Sequence, residues 1–216
     1  MGKVAAPSIF SAVLAVVVAI ASTGCRTHGY VKSDNAARSA YEAADAARSE
    51  GKALDATVHS LNDLVSKPTG NLGAQFDQFS QSLDVLADSN KIALQKGTML
   101  DKNSAIYFDS WATELTTLNN EQIRKSSSSR RDEVIKQYQD ADRRYIGAHE
   151  TLTPLIGYLQ DVRKSLSTDL TTGGLTAAQS IARNATDRSA TAQTALQQAA
   201  TAMQGLGASR IPSGGA

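Results

Sequence analysis

The residues able to do chemistry in this chain are one cysteine, three histidines and one basic run. Cys25 is the only cysteine, and it closes the stretch "AIASTGC" after a run from Val4 to Thr23 that carries no charge and follows Lys3. A thiol preceded by Ser22, Thr23 and Gly24 at the end of an apolar leader has the arrangement in which a bacterial peptidase cuts before a cysteine whose sulfur is then lipidated, although Ser22 stands where leucine is usual. Two other fates fit the same residues. Cleavage after Ala21 by the small-x-small rule would leave Cys25 a free thiol, and an uncut run of roughly 20 apolar residues would span a bilayer. All three place the rest of the chain outside the cytoplasm. Lipidation is the expected one, because it alone explains a sole cysteine at that position. Each buried acyl methylene then contributes about 0.8 kcal/mol, so a multiply acylated cysteine does not leave the membrane. Arg26, where aspartate would retain the protein at the inner membrane under the enteric sorting rule, points to the outer membrane.

The histidines are scattered, with His28 before the helical region, His59 flanked by Asp55 and Asp63, and His149 followed by Glu150. His149-Glu150 begins like a zinc-protease helix, but Thr153 occupies the position of the second ligand. His149 therefore reads as a histidine beside an apolar seam, and His59 with its two aspartates as a solvated ion-pair face. Neither supports a metal site, and no catalytic residue or cofactor is expected. A catalytic role would require His149, Glu150 and another polar pair to share a closed cavity.

The basic run is "RKSSSSRR", Arg124 to Arg131. Arg124, Lys125, Arg130 and Arg131 offer a contact to anionic lipid, cell-wall polymer or an acidic envelope protein, partly offset by Asp132 and Glu133. The run holds no stacking aromatics and the formal net charge is only +1, which argues against nucleic acid.

These groups must be carried by helices. Aromatics are 5% of residues while small and charged residues abound, a composition suited to narrow apolar seams rather than to a bulky core with a deep cavity. Three interruptions, Lys67 to Asn71, Leu118 to Ser129 and Thr171 to Gly174, divide the chain from Ser33 onward into four helical segments. Gly173-Gly174 is expected to terminate a helix. Steps of three and four residues trace a seam through each segment: Ala37 to Val65, Phe76 to Trp111, Val134 to Leu166, and Leu175 to Leu206. A 3.5-residue repeat with short connections predicts an all-α, elongated, antiparallel helical bundle or coiled coil of about four helices. Closing the second hairpin near Gln122 sets Trp111 opposite Val134 and Tyr138, and Gly97 near Ala148. Closing the third sets Leu152 near Ala192. Pro154 lies on an unbroken seam and is expected to kink the helix, with a fresh start capped by Thr153 as the alternative.

The stretches "GNLGAQFDQF", "YFDSWATELTTLNN", "RRDEVIKQYQDADRRY" and "LTPLIGYLQDVRKSLSTDL", with Cys25 after its leader, resemble an uncharacterised, coiled-coil family of proteobacterial envelope lipoproteins. The resemblance implies a membrane-tethered helical protein facing the periplasm, and it supplies no activity to carry over. The expected organisation is a lipoprotein signal peptide over 1–24, a tether over 25–32, a helical domain over 33–206 and a disordered tail over 207–216. The expected function is a non-enzymatic structural or protein-interaction element of the envelope, or else an accessory that binds cell wall or anionic lipid through the basic hairpin tip. Homo-oligomers are compatible with either, since apolar seams also recruit further copies.

Overall fold

A computed structural model describes residues 29–209; the leader, Cys25, His28 and the end of the tail lie outside the described residues. Four helices follow one another, α1 (Gly29–Ser66), α2 (Leu72–Thr116), α3 (Glu121–Thr168) and α4 (Thr172–Ala208), and no strand occurs among the described residues. Asn71, Asn120 and Thr171 start α2, α3 and α4, each accepting a hydrogen bond from a backbone N–H three residues on. Such caps contribute about 1 kcal/mol apiece and fix where each helix begins.

The helices form an up-down-up-down bundle. Lys32 bonds Ser110 at 2.7 Å and Lys96 pairs with Glu42 at 2.8 Å, which sets α1 antiparallel to α2. Gln193 donates to the Gly51 carbonyl at 2.6 Å and Asn62 to Thr186 at 3.0 Å, which sets α4 antiparallel to α1. Neighbouring helices pack around a closed ring, whereas the backbones of diagonal pairs do not meet. At 1.5 Å per residue, helices of 37 to 48 residues are about 55 to 70 Å long, so the bundle is a rod.

All the seam positions on α1, α3 and α4 are buried, together with Phe79, Leu83, Leu86, Ala93, Gly97 and Leu100 on α2. Facing alanines, such as Ala40, Ala44 and Ala47 on α1 and Ala192 and Ala199 on α4, let helices approach closely.

Several boundaries differ from those read in the sequence. Helix α1 reaches back to Gly29, into the stretch expected as tether. The second interruption shrinks to the residues between Thr116 and Glu121, because the Asn120 side chain accepts from Ile123 N at 3.1 Å and starts α3 there. The serine run is consequently helical, and the hairpin closes in a tighter register. Trp111 Nε1 donates to Ser127 Oγ at 2.9 Å, and the ring that meets Tyr138 is that of Phe108, edge-on at 5.2 Å. Gly97 faces Tyr145, one helical turn from the expected Ala148. Tyr158, between the Ile181 carbonyl and the Arg188 guanidinium, fits the expected α3–α4 register.

Gly173 and Gly174 do not terminate a helix but form the first turn of α4. The loop before them is so short that a Cβ on Gly174 would run into the Asp169 carbonyl. Helix α3 runs through Pro154 without a new start at Thr153; Glu150 and Pro154 are both exposed, so water can take the carbonyl that proline leaves without a donor. The first residues of the expected tail, Gly207 and Ala208, belong to α4, and Gly207 is buried against the Tyr41 ring.

Candidate functional site

Near the middle of the rod, a polar pair crosses the bundle diagonally. Glu50 on α1 and His149 on α3 are 0% and 4% exposed, and His149 Nε2 lies 3.0 Å from Glu50 Oε2. His149 Nδ1 lies 2.7 Å from the Tyr145 carbonyl. A carbonyl can only accept, so Nδ1 carries a proton, and the contact between Nε2 and the carboxylate needs a second one. Burial alone would lower the His149 pKa; the close contact and negative charge of Glu50, helped by the Tyr145 carbonyl, outweigh it and hold the pKa above its ordinary 6.5. Neither Glu50 carboxylate oxygen nor His149 Nε2 has a partner in hydrogen-bond geometry among the described residues, so the 3.0 Å contact is an ion pair without an aligned hydrogen bond, which makes the pair costly to bury.

Tyr145 closes the same region. Its hydroxyl donates to the Ala93 carbonyl at 2.7 Å, and burial, reinforced by the Glu50 charge, holds its pKa well above the normal phenol range. Gly97 makes room for the ring, since a Cβ there would sit 3.0 Å from Tyr145 Cε1.

Outside this pair, α2 and α3 part to leave an open groove of about 510 Å³. Leu94, Ile146 and Pro154 supply apolar walls, and Asp101, Asp142 and Glu150 supply charge. Burial raises the Asp101 pKa, and the charge of Asp142 raises it further. Asp142 is raised by burial and pulled partly back by Arg143. The groove thus joins His149 and Glu150 to a second polar pair, but it is open to solvent, and both His149 nitrogens are committed to Glu50 and Tyr145. Proton exchange at the groove would fall to carboxyl groups. No group of three metal-ligating side chains occurs among the described residues.

The basic residues lie at one end of the rod, on the first turns of α3. Arg124 donates to the Leu118 carbonyl at 3.2 Å, and Arg130 pairs with Glu133 at 3.1 Å. Arg131 donates to the Phe108 carbonyl at 3.2 Å and lies 3.7 Å from Asp132. Lys125 is exposed and has no ion pair among the described residues. This end also holds the first residue of α1 and the last of α2, since Lys32 meets Ser110 there. His59 is far from it, in an exposed ladder with Asp63 and Lys67.

Glu50, Asp101 and Asp142 were not singled out by sequence reasoning. Glu50 had a signal, because Ala36, Ala43, Glu50, Thr57 and Leu64 recur every seven residues and all are buried, forming a second row beside the seam. Asp101 and Asp142 each directly follow a seam residue, Leu100 and Ala141, so neither stands out on its own helix, and the pairing of α2 with α3 brings both to one groove.

No helix among the described residues is long and apolar enough to cross a membrane. The family model described as "Protein of unknown function (DUF2959)" matches residues 23–204. Neither the curated proteins nor the solved structures include a match.

Proposed function

Taking as premise that the chain belongs to this family of proteins of unknown function, we propose that it is a non-enzymatic lipoprotein of the bacterial envelope. Cys25 tethers it to the outer membrane, and the rod projects into the periplasm as a structural or protein-interaction element. The observation that carries this reading is the junction of leader and rod. The family match begins two residues before Cys25, and α1 begins four residues after it. Four residues span at most about 14 Å, so a lipid on Cys25 would keep the start of α1 close to the headgroups. The test is labelling of the expressed chain with radioactive palmitate. Label should enter the wild type and be absent from Cys25→Ser; label that persists in the variant removes the tether from the reading.

A second reading, binding of anionic lipid or cell wall by the basic tip, is favoured by one observation. The α2–α3 turn shares an end of the rod with the start of α1, so a tethered chain would hold Arg124 and Lys125 at the membrane surface. The ion pairs of Arg130 and Arg131 reduce what that tip can offer. Arg124→Glu with Lys125→Glu should weaken sedimentation with anionic vesicles if this contact operates, and leave it unchanged if the rod is held by lipid alone.

A further inference from the structure

The outer face of α2 carries an apolar row that the bundle does not use. Val85, Ile92, Met99 and Ile106 follow one another at intervals of seven residues and are 58%, 51%, 48% and 45% exposed. Seven-residue spacing keeps them on one line along the helix, about 32 Å from first to last, pointing away from the buried seam of Phe79, Leu86, Ala93 and Leu100. Scattered exposed apolar residues are ordinary, but a row in strict heptad register is the pattern of a helix with a missing partner helix.

The row reads the same in both directions. Reversing α2 about a point between Gln95 and Lys96 places Val85 on Ile106 and Ile92 on Met99. The same operation brings Asp88 within one residue of Lys102, about 1.5 Å along the axis, and Gln81 within one residue of Asp109, while Gln95 falls on Lys96. The positive charge nearest that point, Lys96, is already neutralised by Glu42 at 2.8 Å. We propose that this face is an interface between two copies of the chain, in which the α2 helices pair antiparallel about a two-fold axis. Each apolar residue then meets an apolar residue, and two Asp88–Lys102 pairs flank the row by symmetry. A parallel pair would keep the apolar contacts but lose the two ion pairs, because Asp88 would face Ser89 and Lys102 would face Asn103.

The pairing does not depend on the fate of Cys25. It sets the two α1 N-termini at opposite ends of the dimer, so two copies tethered to one membrane would pair with their rods lying along its surface.

The test uses the full chain extracted in mild non-ionic detergent, where the tethers impose no orientation. Sedimentation equilibrium should show a monomer–dimer equilibrium. Ile92→Glu with Met99→Glu should abolish the dimer with unchanged far-ultraviolet circular dichroism. Lys102→Glu should raise the dissociation constant roughly tenfold, and Asp88→Lys with Lys102→Glu should restore it. Under mild oxidation, a mixture of Val85→Cys and Ile106→Cys chains should give the mixed disulfide dimer, with the wild type showing any contribution from Cys25. A monomer at all concentrations overturns the proposal. So do failure of the charge swap to restore affinity, and a Val85→Cys dimer formed with itself in place of the mixed one, which would mark parallel pairing.

Discussion

Helices α1 and α2 are the two strands of one hairpin and carry seams of the same period, yet they are used differently. Helix α1 buries seventeen of its 38 residues, and α2 buries six of its 45. On α1 the row Ala36, Ala43, Glu50, Thr57 and Leu64 is buried alongside the seam, so the helix is enclosed on a wide face by both α2 and α4. On α2 the row before the seam is polar, Ser82, Ser89, Lys96 and Asn103, and the packing of α2 on α3 is thin and parts at the groove. A seam decides that a helix joins a bundle. The rows flanking it decide how much of that helix the bundle encloses.

The comparison can be broken most sharply at Glu50. Glu50→Ala should cost about 3–5 kcal/mol in chemical denaturation, because it strands a buried histidine, whereas Glu50→Leu with His149→Leu should recover most of that loss. If the single variant costs less than about 1 kcal/mol, the enclosed face of α1 does not hold the bundle together as described. Next in size is Leu54→Ala on α1, expected to cost about 3 kcal/mol by opening a cavity among residues with no solvent access.

A shallower effect should appear with pH. The His149 pKa is raised in the folded chain, so its contribution to stability is fully present below about pH 6.5 and is lost as the pH rises through the folded value. Asp101 and Asp142, also raised, act in the same direction at lower pH. Thermal midpoints measured from pH 5 to 9 should fall toward the alkaline end, and the part of the slope above neutrality should vanish in the Glu50→Leu, His149→Leu chain. The smallest effect belongs to α2. Ile92→Ala should change the stability of the monomer by less than about 0.5 kcal/mol, since half of that side chain is already in water. A larger loss would mean that the outer row of α2 supports the fold of the single chain.

Much of the fold was legible because helical periodicity is a local property. The seam residues of α1, α3 and α4 are the ones found buried, and the first loop runs from Lys67 to Asn71 as its proline and glycine indicate. The second loop was read too long. Four serines in a row look like a break, yet Asn120 caps the helix ahead of them and Ser127 is held by the Trp111 indole. That error moved the hairpin register, so that Gly97 meets Tyr145 in place of Ala148. His149 was read as a histidine beside the seam, and it is buried there, but its partner Glu50 lies 99 residues away on a helix whose backbone never touches its own.

By itself the sequence determined that the chain is a set of long helices joined by tight turns, and where along each helix the apolar stripe runs, because propensity, caps and period act over a few residues. The tertiary structure decided which stripes face each other and in what register, which polar side chains are trapped on the diagonal, and that one heptad row on α2 is left facing water. Those outcomes depend on how closely four backbones can approach, and that distance is set by pairs of residues such as Gly97 with Tyr145 and Gly207 with Tyr41, whose meeting no local pattern encodes.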